Sequence, residues 1–246
     1  MNRRALLLVA LAVGAVGTGF VLEGGNLAAL WNPAALLIVF GGSLLATLVQ
    51  IPAAQYRPLL GLLSWLLSPP YFSLDVLLGK LTVSGNALRR DGPQALEKVA
   101  TAETDPVLRK GLLLLADGSD TKALEKALWL ELKSQQQRDE DLLSILDNLA
   151  GYLPTMGIVG AVLGLMQVLA DIKQPEALAA GIATAFVATL YGVAGANLMV
   201  IPLTSALRQQ LAIRQRYYEA MMLGVMALRE GINPMALRHR LQGVVL

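Results

Sequence analysis

Two long apolar runs, residues 151–170 and 178–203, constrain the fold of this chain more than any other feature of its sequence. Tyr152 and Tyr191 carry the only ionisable side chains within them. Each run is about as long as the ~20 residues that an α-helix needs to cross the hydrocarbon core of a bilayer. The sequence therefore predicts two membrane-spanning helices here.

Small residues recur along one side of each predicted span. A helix that turns by about 100° per residue gathers them into one stripe per span. The first stripe is Pro154, Gly157, Ala161 and Gly164, with Gly160 completing a Gly-x-x-x-Gly pair, and the second is Gly181, Ala185, Gly192 and Ala196, with Thr189 beside it. Such stripes either let helices pack closely or leave room for another molecule. Spacing alone leaves both interpretations open.

Two prolines favour a moving part over close packing alone. Pro154 lies near the start of the first of these runs, and Pro202 lies near the end of the second. A proline inside a helix removes a backbone hydrogen bond and produces a kink or a hinge.

Two further apolar runs, residues 5–22 and 33–51, precede a long polar region. The first follows Arg3 and Arg4 and has the charge pattern of a signal peptide, but it is long for one, and the second run follows almost at once. A membrane hairpin is the better interpretation, and it gives four spans in two pairs. The predicted segments are spans one and two in 1–51, a helical cytoplasmic domain in 52–150, spans three and four in 151–203, and a helical cytoplasmic extension in 204–246.

Lysine and arginine are distributed unevenly between these segments. If both termini and the central region face the cytoplasm, 19 of the 20 lie inside, and only Lys173 lies in an external link. Cytoplasmic loops of membrane proteins carry the excess of positive charge. The distribution therefore predicts both termini in the cytoplasm.

Glycine and proline divide the polar region into helices. The predicted helices run from Leu74 to Arg90 with Gly92 after it, from Pro93 to about Glu103, from Asp105-Pro106 to Asp117-Gly118, from Thr121 straight into the third span, and over 204–229 as a continuation of the fourth. Residues 59–67 are apolar enough to lie on the membrane surface. No alternation typical of strands is present, so the predicted fold class is all-α.

The sequence lacks the residues that most enzyme chemistry needs. It has no cysteine and a single histidine, His239, which excludes thiolate catalysis and histidine-cluster metal sites. Phosphate-binding loops, nucleophile elbows and zinc-protease motifs are absent. Arg208, Arg214 and Arg216 follow a span, so topology explains them without nucleic-acid binding. We expect no enzymatic activity, no cofactor and no metal.

The order of segments and several short motifs resemble the MotA branch of the MotA/TolQ/ExbB family, the ion-channel subunits of the bacterial flagellar stator. The segments that carry the resemblance are LPTMGIVGAVLG at 153–164, Thr189, Ile201-Pro202-Leu203, LRRDGPQALE at 88–97, Asp117-Gly118 and Gly231-Ile232-Asn233-Pro234. TolQ-like and ExbB-like proteins have three spans in a different order, so the four-span layout favours the MotA branch, including its MotC variants. The resemblance covers essentially the whole chain.

The resemblance implies a homopentamer around two copies of a MotB-type single-span partner that carries a membrane aspartate. Ion flow across the bacterial inner membrane would turn the pentamer about the partner and push a FliG-type rotor protein. In this chain, the resemblance assigns Pro154 and Pro202 to gating and Thr189 to the ion path.

The resemblance also assigns Arg89 and Glu97 to rotor contact. Arg90 adds a neighbouring charge that would share this role. Without the motif, Arg89 and Glu97 would be interpreted as ordinary residues of a helix-hairpin surface.

Two further expectations concern the ion and the alternatives. Sodium-driven relatives carry a second threonine where this chain has Ala161, so the site is one oxygen ligand short for sodium and a proton is expected. A TolQ-like or ExbB-like energiser of envelope transport is the alternative function. A stand-alone secondary transporter is a weaker alternative, because it normally needs ionisable or substrate-binding groups within its spans.

Overall fold

A computed structural model describes residues 2–170 and 175–231, with side chains over 4–170 and 178–231. Every regular element in these ranges is helical, which confirms the all-α prediction. The α-helices are α1 (Asn2–Leu22), α2 (Pro33–Leu36), α3 (Gly42–Val49), α4 (Tyr56–Ser64), α5 (Leu74–Asp91), α6 (Ala95–Ala102), α7 (Pro106–Ala116), α8 (Thr121–Ala170), α9 (Pro175–Ala194) and α10 (Ile201–Arg229). The link with Lys173, the segment after Gly231 and His239 lie outside the described residues.

Two short π-helical segments complete the helices of the predicted spans. Leu37–Gly41 joins α2 to α3, and Gly195–Val200 joins α9 to α10. One-turn 3₁₀ helices cover Leu27–Leu30 and Ala53–Gln55. A π-turn inserts an extra residue into a helical turn, and such turns are frequent at functional sites. No sequence pattern predicted these π-helical segments.

The chain forms two compact units. The first unit contains Met1–Pro69 and Glu140–Gln209, and the second contains Pro70–Asp139 and Gln210–Leu246. The predicted boundaries at 51, 150 and 203 mark where the chain enters and leaves an expected bilayer, whereas the units reflect packing within the chain. Both unit boundaries after residue 100 fall inside long helices, α8 and α10.

Among the described residues, three helical stretches are long and apolar enough to cross a membrane, and they lie in Arg4–Leu22, Thr121–Ala170 and Leu178–Arg229. A fourth is present if the pair Pro33–Val49 and Ala53–Ser64, bent by 110°, counts as one broken span. α8 has 50 residues. At 1.5 Å per residue it is about 75 Å long, well beyond the ~30 Å hydrocarbon core.

The core of the second unit is built mainly from leucine side chains on α5, α6, α7, α8 and α10. The largest fully buried members of this core are Leu77, Leu81, Leu96, Leu108, Leu112, Leu124, Leu128 and Met221. Each such side chain stabilises the fold by roughly 1.5–3 kcal/mol relative to an exposed one. Gly92 and Gly118 follow α5 and α7 with φ of 78° and 71°, a left-handed conformation that favours glycine, as their sequence positions predict.

Candidate functional site

A glycine-lined contact between α8 and α9, here called the glycine seam, lies at the centre of the first unit. A Cβ atom built on Gly157 would lie 3.0 Å from the Ala188 carbonyl oxygen. One on Gly164 would lie 2.9 Å from the Gly181 oxygen, and one on Gly192 would lie 2.5 Å from the Leu153 oxygen. The two backbones therefore touch, and a side chain at any of these three glycines would separate them.

The other small residues singled out by the sequence also lie at or beside this seam. A Cβ built on Gly160 would lie 2.7 Å from the Cβ of Ala188. The backbone nitrogen of Ala185 lies 3.0 Å from the Cβ position of Gly164. Ala196 is buried in the apolar cluster that contains Leu153, just beyond the seam in the π-helical segment.

Thr189 is an exposed residue beside the seam. Its Cα lies 3.4 Å from the Cβ position of Gly157, and its Oγ1 donates a part-buried hydrogen bond to the Ala185 carbonyl of the same helix at 3.1 Å. Ala161 is half-buried on α8 between Gly157 and Gly164. The hydroxyl therefore bonds within α9 rather than to another helix.

The two prolines occupy different helical settings. Pro154 lies inside α8, which continues without interruption from Thr121 to Ala170. Pro202 is the second residue of α10 and directly follows the π-helical segment Gly195–Val200. Pro202 has no N–H to donate, so the turn before it already lacks one regular backbone hydrogen bond.

Pro202 also lines a cavity of about 430 Å³ between α1 and the junction of α9 and α10. The other residues that line it are Ala5, Leu8, Val9, Ala12, Asn197, Leu198, Ser205, Ala206 and Gln209. None of the apolar window of α1 is buried, so α1 packs loosely on the first unit.

The predicted rotor-contact residues lie together at the turn between α5 and α6. Arg89 and Arg90 are in the last turn of α5, and Glu97 is in the first turn of α6. All three side chains are exposed. Gly92 supplies the left-handed residue that reverses the chain between them. With Asp91 at the end of α5, the structure thus places two positive and two negative charges at one end of a helical hairpin.

A buried carboxylate, Glu103, holds the next turn, between α6 and α7. Its Oε1 accepts hydrogen bonds from Lys80 Nζ at 2.7 Å and from the backbone nitrogens of Thr104 and Asp105, each at 2.8 Å. Its carbonyl oxygen accepts two bonds from the Arg109 guanidinium, at 2.9 and 2.6 Å. Sequence reasoning missed this network. The only sequence feature that pointed toward it was the position of Glu103 at a helix end, just before the Asp105-Pro106 cap.

The electrostatics of this turn follow from those contacts. Burial alone would raise the pKa of Glu103, but the Asp105 N–H, the Lys80 ammonium and the Thr104 N–H outweigh it, so the pKa lies below its ordinary value of 4.5. Burial, reinforced by the Asp105 carboxylate, raises the pKa of Tyr217 and of Tyr218 to about 12. The carboxylate is therefore charged and both phenols are neutral at physiological pH.

Two arginines after the last predicted span pair with carboxylates on α8. Arg208 Nη2 lies 2.8 Å from Asp147 Oδ2 in the first unit, and Arg214 pairs with Asp139 in the second. Within the described residues, no three His, Asp or Glu side chains converge as a metal site would require.

Two family matches cover most of the chain. The MotA/TolQ/ExbB proton channel family matches residues 99–220, and the motility protein A N-terminal family matches residues 8–83. The chain belongs to the MotA/TolQ/ExbB proton channel family. The matched ranges contain the glycine seam, Thr189, both prolines and the Glu103 turn.

Individual relatives support the same membership along the full length. Motility protein A of Bacillus subtilis is 28% identical over 242 residues, which covers 98% of this chain and 90% of the relative. Motility protein A of Helicobacter pylori strain 26695 is 26% identical over 241 residues, covering 98% of this chain and 94% of the relative.

Solved structures of MotAB have the same fold. The flagellar MotAB stator complex of Bacillus subtilis matches with a TM-score of 0.86 and 27% identity, covering 99% of this chain and 96% of the solved chain. MotAB of C. jejuni matches with a TM-score of 0.90 over 100% of this chain and 96% of the solved chain, and at 24% identity it supports the fold alone.

Proposed function

We propose that this chain is the ion-channel subunit of a flagellar stator and that, with a MotB-type partner, it couples proton flow across the inner membrane to rotation of the flagellar rotor. The observation that carries this proposal is the exposed residue Thr189 beside a glycine seam, in predicted spans 151–170 and 178–203 that contain no carboxylate. The matches to the proton channel family over residues 99–220 and to the motility protein A N-terminal family over residues 8–83 support it.

The chemistry of the spans explains why a partner is needed. Residues 148–170 and 178–207 contain no Asp, Glu, Lys or Arg. A proton crossing a low-dielectric region needs a group that can hold its charge, because a bare ion there is very costly. Hydroxyls and backbone carbonyls can relay a proton but cannot hold it as a carboxylate does. A membrane aspartate on the partner would complete the path beside Thr189.

The proposed assembly has five copies of this chain around two copies of the partner. Each copy has four spans, with both termini and residues 52–150 in the cytoplasm, and the apolar run over 33–51 supplies the second span. In this orientation, 19 of the 20 Lys and Arg residues lie on the cytoplasmic side, as the positive charge of membrane proteins usually does. Pro154 and Pro202 act as hinges in the spans during each step.

The rotor contact in this proposal is the exposed turn that carries Arg89, Arg90 and Glu97. A FliG-type rotor protein meets these charges with complementary ones. Complementary charges across an interface speed docking and fix its register more than they add affinity. The turn is therefore suited to repeated short contacts with a moving partner.

The direct test compares proton flux in three sets of vesicles: this chain alone, the chain with its single-span partner, and the chain with a partner whose membrane Asp is changed to Asn. We expect flux only in the second set. Strong proton flux through the chain alone would contradict the proposal. Co-expression of the two subunits in a host that lacks its own stator should also restore swimming, whereas flux without swimming would indicate a TolQ-like or ExbB-like energiser.

A further inference from the structure

Three polar side chains join the link after α1 to the middle of α9. Asn32 Nδ2 donates a hydrogen bond to Thr184 Oγ1 at 2.8 Å, and the Asn32 backbone nitrogen donates to the Tyr191 hydroxyl at 3.3 Å. The Tyr191 hydroxyl in turn donates to the Leu30 carbonyl oxygen. We call Asn32, Thr184 and Tyr191 the α9 latch.

Asn32 is itself fixed by the start of the second predicted span. Its Oδ1 accepts the backbone N–H of Ala35 at 3.0 Å and so caps α2. The amide therefore joins two helices: its oxygen holds α2, and its nitrogen holds α9. The Tyr191 ring also packs against Phe40, with ring centroids 6.1 Å apart.

The latch lies on the side of α9 opposite to the proposed ion path. Thr184 and Tyr191 are seven residues apart, so at about 100° per residue they share one face of the helix. Thr189 lies about 140° around the helix from Thr184 by the same rotation. The latch residues Thr184 and Tyr191 lie before and after Thr189 in the chain, on the other face of α9. Their contacts restrict the rotation of α9 about its axis.

The glycine seam also restricts this rotation, because turning α9 would bring side chains against the α8 backbone. The Val168 side chain packs over Gly181, and Ala188 packs over Gly160. Hydrogen bonds from Asn32 are directional, and they join α9 to the start of α2 rather than to α8. The latch thus adds a directional restraint on the orientation of α9 that close packing against α8 does not supply.

We propose that Asn32, Thr184 and Tyr191 are positioning residues that set the direction in which the Thr189 hydroxyl faces. One consequence of this inference rests on the proposed function: a misdirected Thr189 would slow ion transfer. The geometric part concerns α9 alone and can be tested without rotation.

The test uses the absence of cysteine in the chain. Thr189→Cys, introduced in the full complex with the partner in native membranes, gives this chain one thiol, and its modification rate with a small methanethiosulfonate reagent reports the exposure of position 189. We expect Tyr191→Phe, Thr184→Val and Asn32→Ala each to change that rate several-fold. Thr184→Ser keeps the hydroxyl and should leave the rate unchanged.

Thr155→Val is the matched control, because Thr155 is an exposed span hydroxyl that bonds only to the Tyr152 carbonyl of its own helix. An unchanged rate in both Tyr191→Phe and Thr184→Val, with normal amounts of complex, would overturn the inference. If Tyr191→Phe lowers the amount of complex, Thr184→Val decides the question. If the variants change the modification rate but the complex with the native chain drives no rotation, the latch is supported. The proposed function is then contradicted.

Discussion

At the scale of single residues, polar side chains have different roles in the first unit and in the second. In the predicted spans of the first unit, over 148–170 and 178–207, they are hydroxyls and amides. Thr189 among them is exposed and bonds within its own helix, whereas Thr184 and Tyr191 bond to residues outside α9. In the second unit charges lie at helix turns, either exposed at Arg89 or buried at Glu103.

Sequence motifs located the exposed residues better than the buried polar ones. Thr189, Arg89 and Glu97 could be singled out because the family motif contains them. Asn32 and Glu103 could not, because their partners are distant in sequence: Asn32 bonds to a residue 152 positions away, and Glu103 bonds to Lys80, 23 positions away. A local pattern does not encode such pairs.

Charge reversal at Arg89 or Glu97 should weaken torque. Arg89→Glu would place like charges against the rotor surface, and like-charge contact disfavours docking. We expect a several-fold loss of motility, with partial recovery when the opposing rotor charge is reversed. Lys122→Glu is the matched control, an equal change of charge at an exposed site at the start of α8. Loss of the chain from the membrane in both Arg89→Glu and Glu97→Lys would instead indicate a structural role.

Glu103 should make the α6–α7 turn sensitive to acid. Its folded-state pKa lies below 4.5, so its carboxylate stabilises the fold at neutral pH, and this contribution is lost as the pH falls from 4.5 through the lower folded-state pKa. Glu103→Gln should destabilise the turn by roughly 1–3 kcal/mol at pH 7 and flatten the pH dependence below 4.5.

Hydrogen exchange at the Thr104 and Asp105 amides of the intact complex measures this effect. Lys110→Met, which removes an exposed ion pair with Glu131, is the control, and it should change exchange little. Equal exchange in Glu103→Gln and the native chain at pH 7 would contradict the role given to Glu103.

At the scale of helices, glycine and proline made most boundaries predictable. α5 and α7 stop before Gly92 and Gly118, and α8 runs from Thr121 into the third span, as expected. The π-helical segments were not predicted, because they depend on contacts between spans. In one of them, a Cβ on Gly195 would lie 3.1 Å from the Phe40 ring. The irregular turn therefore coincides with a close contact to a residue distant in sequence, which local helix propensity does not reveal.

The glycine seam gives a prediction at this scale. Gly192→Ala would place a methyl group 2.5 Å from the Leu153 carbonyl oxygen, so α8 and α9 must separate. Overpacking of this kind typically costs about 1–3 kcal/mol. We expect a clear fall in the thermal unfolding midpoint of the detergent-solubilised complex.

The facing helix, α8, offers a matched control for this substitution. A Cβ on Gly151 of α8 meets nothing within 4 Å in the chain, so Gly151→Ala should keep the native midpoint or raise it. Equal midpoints for Gly192→Ala and the native chain would show that the seam is not tightly packed.

At the scale of the whole molecule, the all-α fold and the membrane-embedded class followed from apolar run length and helix signals. The sequence also suggested four spans, whereas the structure has three unbroken candidates and one bent pair, Pro33–Val49 with Ala53–Ser64. Ile51 and Pro52 lie at that bend, and a proline favours extended backbone before it. The assembly with its partner and rotor is a property of several chains, which one sequence does not contain.

The most direct test of the central claim measures which ion drives rotation. Cells whose only stator contains this chain and its partner are tethered, and rotation speed is recorded while sodium is varied at fixed proton-motive force and then while a protonophore lowers that force at fixed sodium. Thr189 without a second hydroxyl at Ala161 predicts that speed follows the proton-motive force and ignores sodium. Speed that follows external sodium at fixed proton-motive force would contradict the account.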